Sequence, residues 1–366
     1  MINLDIAENI AVAHTLPTWF YTDEAVFEKT KEQIFEKTWH FAGDTEGLRL
    51  SESLVPHTIL PNFIDEPIVF SRTTTGAIHC LSNVCTHRGN ILIDHACSSN
   101  QIRCRYHGRR FRLDGEYAHQ PEFDGVQNFP SEKDNLSPIP FGIWDNKLLF
   151  AGIKPAMSLS DLLGDMQKRL AWLPLSNFKF DATLSRDYLV KAHWSLYVEN
   201  YLEGFHIPFV HGSLNTVLDY GSYRTELYRY ANLQLGLAKS GEDTFDLPPD
   251  SPDYGQHVAA YYYWVFPNMM FNFYPWGLSV NIVKPQSTNM TKVSFQCYVW
   301  DESKLGRGAG ADLDKVERED EAIVEAVQRG VRSRFYENGR YSARREQGVH
   351  HFHRLLAEFM TDAQKA

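Results

Sequence analysis

Two short stretches, "CTHRGN" and "CRYHGRRF", set Cys85 beside His87 and Cys104 beside His107, a C-x-H and a C-x-x-H with sixteen residues between them. A lone C-x-x-H carries little weight, because single histidines are usually surface or satisfied core residues. Two thiols and two imidazoles in matched halves point instead to one shared metal site. The flanks limit what can present them: "EPIVFSR", "GAIHCLSN" and "NKLLFAGI" alternate as short strands, punctuated by Gly, Pro, Asn and Asp. The stretch from about Trp39 to Ile153 therefore predicts a small β domain. Each half of the motif would sit on a tight loop at a hairpin end, where Gly89 and Gly108 let the backbone turn sharply beside the ligands.

The mixed halves select the metal. Structural zinc sites usually draw on pairs of one ligand type, whereas here each half supplies one thiol and one imidazole. A 2Fe-2S cluster accommodates that set, with both thiolates on one iron and both histidines on the other. Neutral imidazole in place of thiolate raises the potential to about −150 to +300 mV, from about −400 mV in all-thiolate ferredoxins. The motif resembles the Rieske domain in Cys85, His87, Cys104 and His107 and in the flanking Arg88, Gly89, Tyr106 and Gly108. One departure is Arg109 in "HGRRF", where many members of the family carry an aromatic residue after the His-Gly of the second loop.

The totals suit a chain of two domains. At 366 residues it exceeds one ordinary core, and 43% hydrophobic with 22% charged residues is the composition of a globular protein. The net charge of −10 argues against nucleic acid as the main partner. Five cysteines, an odd and sparse set, make a poor disulfide framework, so reduced thiols are expected. No apolar run approaches a membrane span and "MINLDIAENIAVAH" has no leader pattern, so a cytoplasmic location without membrane association is the expectation.

A second constellation lies in "AHWSLYVENYLEGFHIPFVHGSLN". Helical spacing over about 193–206 puts Glu199, Glu203 and His206 on one face, and Pro208 is expected to stop a regular helix and let His211 return towards His206. A third ligand is sought in "ADLDKVEREDEAIVEAVQRGV", where Leu313, Val316, Ile323, Val324 and Val327 mark an apolar stripe. Asp320 falls on that stripe, while Glu317, Glu321 and Glu325 fall off it. An inward carboxylate needs a partner: a metal, an inward arginine or a helix cap. Two histidines and one carboxylate would hold non-haem Fe(II) with positions open for oxygen.

The resemblance extends over nearly the whole chain, to the catalytic (alpha) subunit of Rieske non-haem iron oxygenases, the aromatic-ring-hydroxylating dioxygenase family. The family's pattern of an acid, two residues, His, four residues and His is matched by Glu203, His206 and His211, and its late helical aspartate by Asp320. The resemblance implies an α+β fold: residues 1–38 as an N-terminal helical segment packed on the catalytic domain, 39–153 as the Rieske domain, and 154–366 as a helix-grip, START-like catalytic domain with an antiparallel sheet. It implies a Rieske 2Fe-2S cluster, a mononuclear Fe(II) and O2 as co-substrate. It also implies that Glu203 links His107 of one chain to His206 of the next, within a cyclic homo-oligomer that is usually a trimer. Most members have Asp at this bridge; Glu203 is a departure shared with oxygenases of quaternary amines. Asn200 would help to position the helix or make an ordinary polar contact.

Electrons must come from elsewhere. "LGRGAGAD" is a loop between a strand and a helix without the context of a dinucleotide fingerprint, so an NAD(P)H-dependent reductase is expected as partner, with or without a ferredoxin. Arg103, Arg105, Arg109, Arg110 and Arg112 crowd the second cluster loop, either steering an acidic donor or simply solvated and paired. The small-molecule substrate is expected in a pocket walled by part of "YYYWVFPNMMFNFYPWGLSVNIVKP", as an aromatic ring or a quaternary ammonium group in an aromatic cage, with the quaternary-amine branch the somewhat closer match. "HHFH" at 350–353 reads as part of an amphipathic C-terminal helix rather than a metal site. The competing readings are a Rieske electron carrier, a START-like binding protein without oxygenase activity, and a zinc-stabilised binding module.

Overall fold

Alternation and turn residues build the smaller of two units in the computed structural model, which describes residues 4–361. This unit, 36–156, holds three antiparallel sheets. The strands Ile78–Ser82, Glu66–Arg72, Ser53–Ile59 and Cys97–Ser98 lie side by side in that order, and Ile102–Arg103, Arg110–Phe111 and Tyr117–His119 form a second sheet. The third joins His40–Asp44, Leu148–Ala151 and Phe141–Trp144. Leu54, Val69, Leu81, Ile102 and Phe111 make a core that also contains Cys85 and Cys104. The thiols therefore sit at the edge of a fixed apolar cluster rather than on mobile loop tips.

The larger unit combines the N-terminal segment up to Phe35 with residues 157–366. Its centre is a seven-stranded antiparallel sheet in the order Lys179–Val190, Met290–Val299, Gly277–Ser287, Met269–Tyr274, Val258–Val265, Ala231–Leu237, Arg224–Leu227. The aromatic run forms three adjacent central strands, and every residue of Met269–Tyr274 is buried. Helices Trp194–Tyr201 and Leu313–Gly330 pack together, and Gln347–Met360 lies against the far edge of the sheet.

The N-terminal helix Glu24–Gln33 is capped by Asp23, whose Oδ1 accepts from the backbone N–H of Ala25 at 2.7 Å and of Val26 at 3.2 Å. It packs on the C-terminal helix, and edge-on rings continue that contact inward: Phe35 to Trp194 at 5.0 Å, Trp194 to Phe352 at 5.8 Å, and Phe352 to Trp264 at 5.3 Å. Of the "HHFH" residues, Phe352 and His353 are fully buried and His350 nearly so. His353 Nδ1 lies 2.6 Å from Tyr341 Oη and His350 Nε2 is 2.8 Å from the Ala7 carbonyl, so these rings serve packing. In "LGRGAGAD", Gly308–Gly310 is a single 3₁₀ turn, and a Cβ on Gly310 would lie 2.5 Å from the Trp276 indole nitrogen. These glycines serve close packing, not phosphate binding. Among the described residues no helix is long and apolar enough to cross a membrane.

Candidate metal centres and active-site cavity

The two cluster loops share one backbone design. Cys85 N–H donates to the Asn90 carbonyl at 2.8 Å and Cys104 N–H to the Arg109 carbonyl at 2.8 Å, five residues on in each case. Four residues after each cysteine a glycine turns back to it: Gly89 at φ 71° and Gly108 at φ 76° donate to the Cys85 and Cys104 carbonyls at 3.0 and 3.1 Å. Both thiols are buried, and the His87 and His107 rings lie 4.7 Å apart. His107 Nδ1 is buried with no hydrogen-bond partner, an acceptor that only a cation or an unseen donor would satisfy. Burial and the neighbouring Cys104 raise the Cys85 thiol pKa, while burial, His107, Arg109 and Arg88 lower that of His87. Neutral imidazoles beside thiols that metal would ionise are the donor set a histidine-ligated 2Fe-2S cluster requires, so these four residues fit it.

Arg109 does not belong to a steering surface. It is only 2% exposed, and its Nε donates to Gln120 Oε1 at 2.8 Å while Nη1 donates to Thr86 Oγ1 at 2.8 Å and Asp134 Oδ1 at 3.2 Å. Its guanidinium lies 5.3–5.5 Å from the rings of Phe129, Tyr117 and Phe123. Because Thr86 stands between Cys85 and His87, Arg109 ties one cluster loop to the other. Arg105 pairs with Asp94 at 3.0 Å and Arg112 with Glu116 at 2.6 Å, leaving Arg103 and Arg110, opposite one another on paired strands, as the exposed remainder of the cluster.

The second constellation is built differently from its helical expectation. The helix ends at Tyr201, before Glu203, and Pro208 lies in the first turn of the short helix Ile207–Val210, where its missing N–H costs nothing. Glu203 replaces the helical continuation: Oε2 accepts from the backbone N–H of Phe205 and, at 3.1 Å, of His206, and Oε1 lies 2.7 Å from His206 Nδ1. His206 and His211 flank the short helix, which brings their Nε2 atoms within 3.1 Å. Asp320 Oδ1 stands 3.0 Å from His211 Nε2 and 3.5 Å from His206 Nε2.

The tautomers follow from the carboxylates behind the rings. Glu203 holds His206 Nδ1 and Glu319 Oε2 holds His211 Nδ1 at 2.8 Å, so a neutral ring carries its proton on Nδ1 and turns its Nε2 lone pair inward. Two such lone pairs and a carboxylate oxygen repel unless a cation or proton lies between them. Burial opposes a charge on His211, but Asp320 and Glu319 outweigh it and raise the pKa of the ring. His206, His211 and Asp320 are the one group of three potential metal ligands among the described residues outside the thiol-containing loops, all within 4.8 Å of one another. They fit a two-histidine, one-carboxylate iron site.

The apolar stripe misplaces the buried face of Leu313–Gly330. Ile323 and Val327 are 40% and 43% exposed, whereas Glu317 and Gln328 are buried with Val324. These polar groups have partners: Tyr197 Oη donates to Glu317 Oε2 at 2.5 Å, and Gln328 Oε1 and Glu325 Oε1 accept from the backbone N–H of His193 and Lys191 at 2.7 and 3.0 Å. Asp320 lies on the correct side even though the stripe used to find it does not. A cavity opens beside the triad, lined by Tyr197, Tyr201, Tyr223, Tyr262, Tyr274 and Phe295, by Asn200, Asn272 and Asn281, and by Glu317. Tyr201 Oη donates to Asn272 Oδ1 at 2.7 Å. Sequence reasoning missed Glu317, Glu319 and Tyr223; adjacency to Asp320 was the one available signal, for Glu319.

Comparison with known proteins agrees with this architecture. Residues 171–362 match the model for the ring hydroxylating alpha subunit catalytic domain, and residues 47–130 match the Rieske [2Fe-2S] domain. The chain is 29% identical over 361 residues to the chloroplastic choline monooxygenase of Arabidopsis thaliana, covering 94% of this chain and 82% of that protein. It is 29% identical over 366 residues to the carnitine monooxygenase oxygenase subunit of Escherichia coli K12, covering 96% and 95%. A solved quaternary ammonium Rieske monooxygenase, described for carnitine oxidation and inter-subunit electron transfer, superposes with a TM-score of 0.80 at 26% identity, covering 98% of this chain and 99% of the other. Naphthalene 1,2-dioxygenase from a Rhodococcus species, at 17% identity and a TM-score of 0.76 over 96% and 95% of the chains, shares the fold.

Proposed function

The chain belongs to the ring-hydroxylating alpha-subunit family, and from that premise we propose that it oxygenates a small quaternary ammonium compound. It is the terminal oxygenase of such a system, an oxidoreductase that takes electrons from a reductase or ferredoxin through a Rieske cluster to a mononuclear iron site. The observation that carries the substrate class is the cavity. Its wall is formed by five tyrosines and acidic side chains, and among the described residues no lysine or arginine lines it. A cation is stabilised in such a site, whereas a substrate anchored by its own carboxylate would find no partner there.

Cys85, Cys104, His87 and His107 would hold the cluster, and His206, His211 and Asp320 the iron. When bound, these groups supply stored electrons and the activation of O2. The chain's own residues do the rest. Glu203 and Glu319 keep the Nδ1 protons of His206 and His211 in place and so keep both Nε2 atoms available. Tyr201 and Asn272 hold one another at the cavity wall, and Asn200 supplies a polar edge between helix and cavity. Glu203 would relay an electron from His107 of a neighbouring chain in a homotrimer, a reading supported by the inter-subunit electron transfer described for a solved relative. All five cysteines are free thiols, which suits a cytoplasmic, reducing location.

The test begins with anaerobically purified protein. About three irons per chain with the low-average-g EPR signal of a histidine-ligated cluster are expected. With NAD(P)H and a competent reductase, choline, which has no carboxylate, should stimulate O2 consumption and yield an oxidised product. About two irons with no substrate-dependent turnover would leave an electron carrier, and zinc in a colourless protein would leave a binding module.

A further inference from the structure

Three carboxylates line the cavity, and two of them have evident partners. Glu203 is engaged by His206, and Asp320 faces both Nε2 atoms of the triad. Glu317 is different. It is 3% exposed, its Oε2 is met only by the Tyr197 hydroxyl, and its Oε1 is buried with no hydrogen-bond partner at all. A buried carboxylate with one oxygen unsatisfied is destabilising unless something positive or protic completes it.

Among the described residues no side chain hydrogen-bonds that oxygen. The adjacent Arg318 turns away, pairing with Glu321 at 2.9 Å and lying 5.0 Å from the Tyr188 ring. Burial, with Asp320 and Glu321 on its own helix, disfavours its ionisation, against the smaller opposing effects of the Tyr197 hydroxyl and the Arg318 charge. The Trp194–Tyr201 helix presents only Tyr197 to it. A carboxylate held by one phenol in the lining of a tyrosine-walled space has the chemistry of a counter-ion for an occupant.

We propose that Glu317 is the specificity-determining counter-ion of the cavity, selecting a permanently positive head group over an uncharged one of the same shape. This rests on the reading that the cavity admits a quaternary ammonium compound, and adds the residue that enforces the charge. Tyr197 positions the carboxylate through its hydroxyl, and the tyrosine faces surround the methyl groups of the cation.

The experiment compares choline with 3,3-dimethylbutan-1-ol, which replaces the ammonium nitrogen by carbon and keeps the shape. Binding to the iron- and cluster-loaded protein is measured by calorimetry for wild type, Glu317→Gln and Tyr197→Phe, with the cluster spectrum and thermal midpoint verifying that each variant is folded. Wild type should prefer choline, and Glu317→Gln should weaken choline binding by about ten-fold or more while leaving the alcohol within about two-fold. Tyr197→Phe, which keeps the carboxylate, should retain the preference for choline. If wild type prefers choline and Glu317→Gln prefers it equally, Glu317 is not the counter-ion and the substrate reading stands. If wild type does not distinguish the two probes, the quaternary-ammonium reading fails, and this inference with it. Should Glu317→Gln not fold, Glu317→Met is measured in its place, and an unchanged choline preference in the folded variant would overturn the proposal.

Discussion

At the scale of single residues, ligands and their supports should separate cleanly. Asp320→Ala removes the charged member of the triad, and the mononuclear iron should be lost while the cluster's visible spectrum is unchanged. Glu319→Ala leaves all three ligands but removes the acceptor that fixes the His211 tautomer, so iron affinity should fall by about ten- to a hundred-fold rather than vanish. Iron titration of the apo site, read beside the cluster absorbance, distinguishes the two; equal losses would place Glu319 among the ligands. The same scale shows why Arg109 could not be placed from its neighbours in sequence. Five arginines in ten residues look like a surface field, yet this one is buried, its Nε and Nη1 donors taken up by Gln120, Thr86 and Asp134 and its guanidinium set among three aromatic rings.

At the scale of elements, the packing of the N-terminal segment against the Trp194–Tyr201 helix gives a pH dependence. His193 caps that helix inside a shell of Phe20, Tyr21 and Phe27, each with its ring 5.7–5.8 Å away, and complete burial pushes its pKa down to about 3. The unfolded chain takes up a proton near the ordinary pKa of 6.5 while the folded one does not, so stability falls as pH drops from about 6.5 towards 3. Between pH 7 and pH 5 the loss from this one residue is on the order of 2 kcal/mol. His193→Phe should show a shallower decline of the thermal midpoint over that range than the wild type. Parallel declines would show that the shell admits a proton.

Elements also mark how far patterning reaches. Strand alternation and the Asp23 cap were legible because they depend on neighbours in sequence. The buried face of Leu313–Gly330 was not: its inward polar side chains each bond through one atom across 120 or more residues, Glu317 to Tyr197 and Gln328 to the backbone of His193. A hydrophobic stripe cannot report burial where hydrogen bonds, not apolar area, hold the helix in place. The helix from Trp194 likewise ends early because the Glu203 carboxylate satisfies the N–H groups of Phe205 and His206 that a continuing helix would have bonded.

At the scale of the whole molecule, the proposed trimer and its relay have a direct measurement. Chains carrying Cys104→Ser, without a cluster, and chains carrying Asp320→Ala, without the mononuclear iron, should each be inactive alone. Mixed and reassembled, they should regain a fraction of wild-type turnover if electrons pass from His107 of one chain through Glu203 to His206 of the next. No recovery in verified mixed oligomers would confine transfer to a single chain.

The sequence by itself determined the chemistry that local spacing encodes: four cluster ligands on two glycine-turned loops, a histidine pair five residues apart, an aromatic sheet and an inward aspartate. Ligand type and short loop geometry depend on a few adjacent residues, so they survive reading in one dimension. Only the tertiary structure decided that Arg109 binds the cluster loops together, that Glu319 stands behind His211, and that Glu317 faces the cavity with one oxygen unmatched. Those facts rest on side chains that meet across 23 to 120 residues of chain, where burial and pairing are set jointly by elements whose order in sequence says nothing about their distance in space.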